Sequence, residues 1–191
     1  MNISVTYTFS IAPYNFDSTI VGLCYLGNGS GYLAGSLLGG RWSDRVFVRS
    51  AAKHGGVLEA EGRFGINTWV GAILYPLGIL MYGWTVDKGL FVVVPQIGTF
   101  CFGLGMMITF ATTTTYLVDA VPGRSSSAVA INNLLRNALA CVGGIIAKPL
   151  IEALGNGVLF SILSGICLAS SLCIWAIMKV LFSPNRSEWM I

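Results

Sequence analysis

Arg136 is the residue whose type and placement carry the most chemical promise. The segment from Ser125 to Ile151 is apolar except for Arg136 and Lys148. Counted from Ser125, Arg136 lies 11 residues along, which in a helix is a depth of roughly 16 Å. In a helix crossing a bilayer, that puts a guanidinium near the midplane. There it costs several kcal/mol unless it is paired or hydrated. Asn132 and Asn133 precede it by four and three residues, so all three share one helix face. Such a face needs an aqueous cavity, a polar ligand, a carbonyl or a carboxylate beside it. A structural arginine bonded to helix-end carbonyls is the plainer alternative. Catalytic chemistry has much less to draw on. His54 stands alone, without a ligand set for a metal. Cys24, Cys101, Cys141, Cys167 and Cys173 fall in apolar segments without a C-x-x-C pair and read as small packing residues. The sequence has no glycine-rich phosphate loop, nucleophile elbow or intramembrane carboxylate pair. The expectation is therefore a protein that is not an enzyme and needs no metal or cofactor.

The elements that must position Arg136 follow from composition. The chain has 191 residues, of which 10% are charged and 54% apolar, with a mean hydropathy of +0.74. Soluble domains carry about 25% charged residues. Nineteen charges would wet a soluble surface of this size poorly, which argues against a soluble enzyme, a nucleic-acid binder and a disordered chain. Crossing the hydrocarbon core takes about 20 apolar residues as a helix. The charge-free runs between Asp17 and Arg41 and between Arg63 and Asp87 are 23 residues each, with 30 between Lys88 and Asp119 and 26 between Glu152 and Lys179. These runs and the Arg136 segment predict five spans, at about 19–40, 65–86, 92–118, 125–150 and 156–179, in a single transmembrane domain over 1–191 with a tail at 180–191. Residues 1–9 read as the last turns of a severed span, followed by a loop at Ala12–Ser18 around Pro13, and the chain reads as part of a longer protein.

Basic residues orient the spans. Arg41, Arg45, Arg49, Lys53, Arg63, Arg124, Lys179 and Arg186 fall on one side, and at most Lys88 and Lys148 on the other. The richer side, with the C-terminus, is expected to be cytoplasmic. Of the N-x-S sequons, Asn28 is then intramembrane, Asn185 cytoplasmic and Asn2 at the cut end, so none reads as a glycosylation site. Gly27, Gly31, Gly35 and Gly39 recur every four residues, which predicts a close helix contact, either static or sliding. Tyr25, Asn28 and Tyr32 can share a face of the same helix. Together with the Arg136 face they would line a cavity for an amphiphilic solute. Thr112 to Thr115 can bond to their own helix and be inert.

The segment Gly40-Arg41-Trp42-Ser43-Asp44-Arg45-Val46-Phe47-Val48-Arg49 resembles the G-x-x-x-D-R/K-x-G-R/K-R/K signature of the major facilitator superfamily, in its second-half copy. Gly40, Asp44 and Arg45 match, Arg49 is the one later basic residue, and Phe47 replaces the second glycine. In physical terms Gly40 would permit a tight helix exit, and Asp44 could latch the cytoplasmic ends of neighbouring helices. Ala12-Pro13-Tyr14-Asn15-Phe16, Ala60-Glu61-Gly62-Arg63-Phe64, Gly83-Trp84, Tyr116 through Ser125 and Asn132-Asn133-x-x-Arg136 are similar to fungal twelve-span drug:proton antiporters. The resemblance implies an all-α membrane protein, the C-terminal six-helix half of a major facilitator fold with its first helix truncated. It further implies proton-coupled export of small amphiphilic or cationic solutes such as drugs or polyamines, placement in the plasma membrane, and a partner half of six helices in place of any nucleic acid. An inactive truncated piece, or a membrane scaffold dimerising through the Gly27–Gly39 face, is the alternative.

Overall fold

A computed structural model describes residues 1–11, 14–53, 66–121 and 123–181, of which the side chains of 42–44, 46–53, 66–68 and 174–181 lie outside the description. Five helical elements follow one another: α1 (Asn2–Ser10), α2 (Ser18–Lys53), α3 (Ile66–Asp87), α4 (Val93–Ala120) and α5 (Ser125–Leu181). Among the described residues there is no strand. Among the described residues three stretches are long and apolar enough to cross a membrane: Trp69–Asp87, Val93–Ala120 and Ser125–Cys173. The last has 49 residues, more than twice what one crossing takes. Gly155 divides it, with φ 76° and ψ 163°.

One expectation needs correcting. The helix does not end at Gly40; α2 runs on to Lys53. Residues 41–53 contain neither glycine nor proline, so nothing local stops the helix where the charges begin. Gly40 is therefore a mid-helix residue and not a helix exit.

The central element is α4. The glycine stripe of α2 lies along one side of it, where Cβ atoms on Gly27, Gly31, Gly35 and Gly39 would meet Gln96, Phe100, Leu104 and Ile108 in turn. Both sets advance by four residues, so α2 and α4 run parallel and touch backbone to backbone. On its other side α4 meets α3 in the opposite sense. Gly71 faces Thr109 and Ile108, Gly105 faces Tyr75, Gly78 faces Phe102, and Gly98 faces Tyr82. After Gly155, α5 returns along α3, with Phe160 against Gly83 and the Ser164 hydroxyl donating to the Pro76 carbonyl at 3.0 Å.

The distribution of polarity is that of a protein dissolved in lipid. Ser4, Asn28, Thr85, Thr99, Thr112, Asn156 and Ser164 are buried. Leu26, Leu33, Leu134, Leu139 and Ile145 are each more than half exposed. Water would penalise that outward apolar surface, whereas hydrocarbon accepts it. Backbone polar groups at that depth are satisfied within helices, as a bilayer demands. The core proper gathers Val5, Phe9, Val21, Cys24, Ile79, Tyr82, Val86, Phe102 and Phe160.

Candidate functional site

Arg136 projects from the first part of α5 toward α4. Its guanidinium carbon sits 4.4 Å from the centroid of the Phe110 ring, a cation–π contact that is worth up to about 2 kcal/mol once desolvated. The side chain is otherwise exposed, and among the described residues no carboxylate lies within ion-pair reach of it. Asn132 and Asn133 are half-buried beside it. The Asn133 Oδ1 and the Thr114 Oγ1 are buried without a hydrogen-bond partner among the described residues. Phe110 precedes the end of α4 by ten residues, and Arg136 follows the start of α5 by eleven. The two therefore meet at one depth of the α4–α5 hairpin, and by the same register Thr114 stands level with Asn132 and Asn133. The other threonines of that run are satisfied at home: Thr112, Thr113 and Thr115 donate to the carbonyls of Ile108, Thr109 and Ala111.

The α2 residues go elsewhere. Tyr25 and Asn28 turn to α1, where the Tyr25 hydroxyl donates to the Asn2 carbonyl at 2.8 Å and also meets the Thr6 hydroxyl. The Asn28 Nδ2 donates to the Asn2 Oδ1 at 3.2 Å, leaving the Asn28 Oδ1 buried without a partner. The Tyr32 hydroxyl points to the Met106 sulfur at 3.6 Å, and its ring lies 6.5 Å from that of Phe102. The six residues expected to share one cavity thus divide into an α5 face and an α1–α2–α4 polar seam. None of the six lines the cavity of about 630 Å³ between the start of α1 and both parts of α5, although Asn2, the partner of Tyr25 and Asn28, does, with Met1, Ser4, Gly143, Gly144, Phe160 and apolar neighbours.

A second polar seam escaped sequence reasoning because its members are unremarkable singly. Ser4 donates to the Asn156 Oδ1 at 2.8 Å, and the Asn156 Nδ2 donates to Thr8 at 3.1 Å. The Tyr82 hydroxyl completes the group, 3.2 Å from Ser4. One asparagine thereby bridges two successive turns of α1. Toward the other end of α1, the Tyr7 hydroxyl donates to Glu152 at 2.7 Å, and Lys148 stands 5.6 Å over the Tyr7 ring. In the connection before α2, the Tyr14 hydroxyl donates to the Leu90 carbonyl at 2.5 Å, and burial raises its pKa above the usual phenol value.

The glycine stripe is fully engaged inside the chain by α4, so it is not a free face for a second copy. Of the motif residues, Gly40 and Arg45 stand on α2, Arg45 exposed. The side chains of Asp44 and Arg49 lie outside the described residues, as do His54, Ala60 to Phe64, Asn185 and Arg186. The five cysteines are all free. Among the described residues no group of His, Cys, Asp and Glu could hold a metal ion.

Relatives agree with this architecture. An MFS-type transporter of Gibberella moniliformis is 40% identical over 99% of this chain and 85% of its own length. The chain belongs to the major facilitator superfamily. The MFS antiporter QDR3 of Candida albicans is 45% identical over 93% of the chain, and quinidine resistance protein 3 of Saccharomyces cerevisiae 38% over 90%. The chain spans 25% of the length of each of these two and 53% of the MFS transporter OpS2 of Beauveria bassiana. No family model matches the chain, and no solved structure matches it. Its helices are those of the C-terminal half of a major facilitator fold, in which two bundles rock about a midplane site. A multi-pass membrane protein related to transporters and a drug-resistance protein is the reading that the relatives' names support.

Proposed function

We propose that this protein is the C-terminal half of a secondary transporter that exports small amphiphilic or cationic solutes, drug-like or polyamine-like, in exchange for protons. The single observation that carries this reading is Arg136, a cation near mid-depth whose only described partner is the Phe110 ring. A charge there is costly on a purely structural helix and useful beside an aqueous path. Asn132 and Asn133 extend the polar face, and Tyr25, Asn28 and Tyr32 form the polar seam of α1, α2 and α4 behind it. Gly40, Asp44, Arg45 and Arg49 form the cytoplasmic latch that holds the bundles in one of their two orientations. The bundle works in the plasma membrane with its C-terminus in the cytoplasm, against a second six-helix half that completes the cavity. The names of the relatives, an antiporter and a quinidine resistance protein among them, favour efflux of foreign amphiphiles.

Proteoliposome flux with an imposed pH gradient, both six-helix halves being present, tests the reading. Uptake that depends on the gradient, and falls at least tenfold in Arg136→Ala, is expected. Equal flux by Arg136→Ala refutes the central placement of Arg136, and flux indifferent to the gradient refutes proton exchange.

A further inference from the structure

We infer that Arg136 and Phe110 form a subsite for a planar oxyanion, a carboxylate or its vinylogous equivalent, carried by the transported amphiphile; this rests on the transporter reading above. Three features point to that ligand. The guanidinium carbon lies over the Phe110 ring, 4.4 Å from its centroid. Among the described residues none accepts a hydrogen bond from its five N–H donors, whose fork suits a carboxylate bidentately. The positive charge has no carboxylate partner among the described residues, and the side chain is exposed. The need for an anion is therefore not met by α4 or α5 themselves. Finally, Thr114 and Asn133 leave buried oxygens unpaired at the same level of the hairpin. Both oxygens are shielded by their neighbours, so they make this level of the hairpin polar without themselves contacting a ligand.

The apolar part of such a ligand also finds a surface here. Leu139, three residues on and on the same face of α5 as Arg136, is more than half exposed. The chemistry selected is thus an amphiphile with a flat anionic end. A simple cation meets an uncompensated like charge at this point and is disfavoured there. The cationic group of a transported solute would then be held away from Arg136, elsewhere in the cavity. A lipid phosphate is the other source of an oxyanion. Its headgroup belongs at the interface, whereas Arg136 lies roughly 16 Å along its helix.

Three solutes of one shape separate the possibilities: phenylacetate, phenylacetamide and phenethylamine. Binding to the purified protein is read by isothermal titration in detergent, and flux in proteoliposomes with and without anionic lipid. We expect phenylacetate to bind about tenfold more tightly than the amide, and the amine to bind more weakly than either. Arg136→Gln should abolish the preference while the amide still binds, Arg136→Lys should retain part of it, and Phe110→Leu should reduce it about threefold. Equal binding of acid and amide, or an undiminished preference in Arg136→Gln, overturns the subsite. So does a preference that disappears when anionic lipid is added, which assigns the site to headgroups. So does a loss in Arg136→Gln that is equal for acid and amide, which assigns Arg136 to an internal ion pair. Arg136-dependent binding without flux, both six-helix halves being present in the vesicles, supports the subsite and refutes the transporter reading. Flux of amide and amine without a preference for the acid does the reverse.

Discussion

Gly31 of α2 lies against the main-chain carbonyl of Phe100 in α4, so closely that a methyl group on Gly31 would stand 2.4 Å from the carbonyl oxygen. Backbone cannot yield as a flexible side chain does. Gly31→Ala should therefore push α2 from α4 and destabilise the bundle by about 1–3 kcal/mol, as overpacking does elsewhere. Gly29, two residues earlier on the same helix, has nothing within 4 Å of its would-be Cβ. Gly29→Ala should be neutral or slightly stabilising, since alanine restricts the unfolded chain. Thermal unfolding in detergent, followed by tryptophan fluorescence, compares the two. Equal melting temperatures would mean that the α2–α4 contact is looser than described.

Asn156 joins α1 to α5 through two donor–acceptor pairs, to Ser4 at 2.8 Å and to Thr8 at 3.1 Å. Hydrogen bonds between helices in lipid contribute about 0.6 kcal/mol on average and up to about 1.7. Asn156→Ala should cost about 1–2 kcal/mol, and a double-mutant cycle with Ser4→Ala should show positive coupling. Additive losses would mean that the two side chains act separately. Because Asn156 bridges two successive turns of α1, the same variant should increase hydrogen exchange in α1 and leave α4 protected.

Much of this could be read from residue spacing, and the missing parts share a cause. The four-residue rhythm of Gly27, Gly31, Gly35 and Gly39 marks a close contact. It does not name the partner, because Gln96, Phe100, Leu104 and Ile108 are ordinary residues that offer backbone rather than a signature. Similarly, the depth of Arg136 follows from counting, but Phe110 is one of ten phenylalanines until the hairpin closes. The end of α2 was misread at Gly40 because a charge marks the edge of hydrocarbon, whereas a helix ends where its hydrogen bonds end. Tyr25 and Asn28 do share a face, but their hydrogen bonds go to α1, a nine-residue helix with little sequence signal of its own.

The Tyr14 hydroxyl ties the connection after α1 to the Leu90 carbonyl. Burial raises its pKa, so the protonated phenol is the form favoured by the fold. Its contribution is complete below the unfolded value of about 10 and declines as pH rises above that toward the folded value. Unfolding temperatures should therefore fall more steeply above pH 10 in the parent protein than in Tyr14→Phe. Below pH 9 the variant should be less stable by about 1 kcal/mol, the worth of one hydrogen bond. Parallel pH profiles would show that Tyr14 ionises as freely in the folded protein as in the unfolded chain.

Gly155 turns the chain back between the two parts of α5 with φ 76° and ψ 163°, a conformation open essentially to glycine alone. The Asp87 carboxylate, at the end of α3, lies 3.3 Å from where a Cβ on Gly155 would stand and 3.1 Å from the equivalent point on Gly157. It thus faces the start of the returning helix, where a negative charge is favourable. Gly155→Ala should cost about 1–3 kcal/mol through backbone strain, and Asp87→Asn about 0.3–1 kcal/mol through the lost charge at the helix start. Gly165→Ala, with nothing within 4 Å of its Cβ position, is the control for replacing a glycine in the same helix. Because the strain at Gly155 is local, its loss should be insensitive to ionic strength, whereas the Asp87 effect should shrink as salt is added. A Gly155→Ala protein as stable as Gly165→Ala would mean that the turn at 155 adopts a different backbone from the one described.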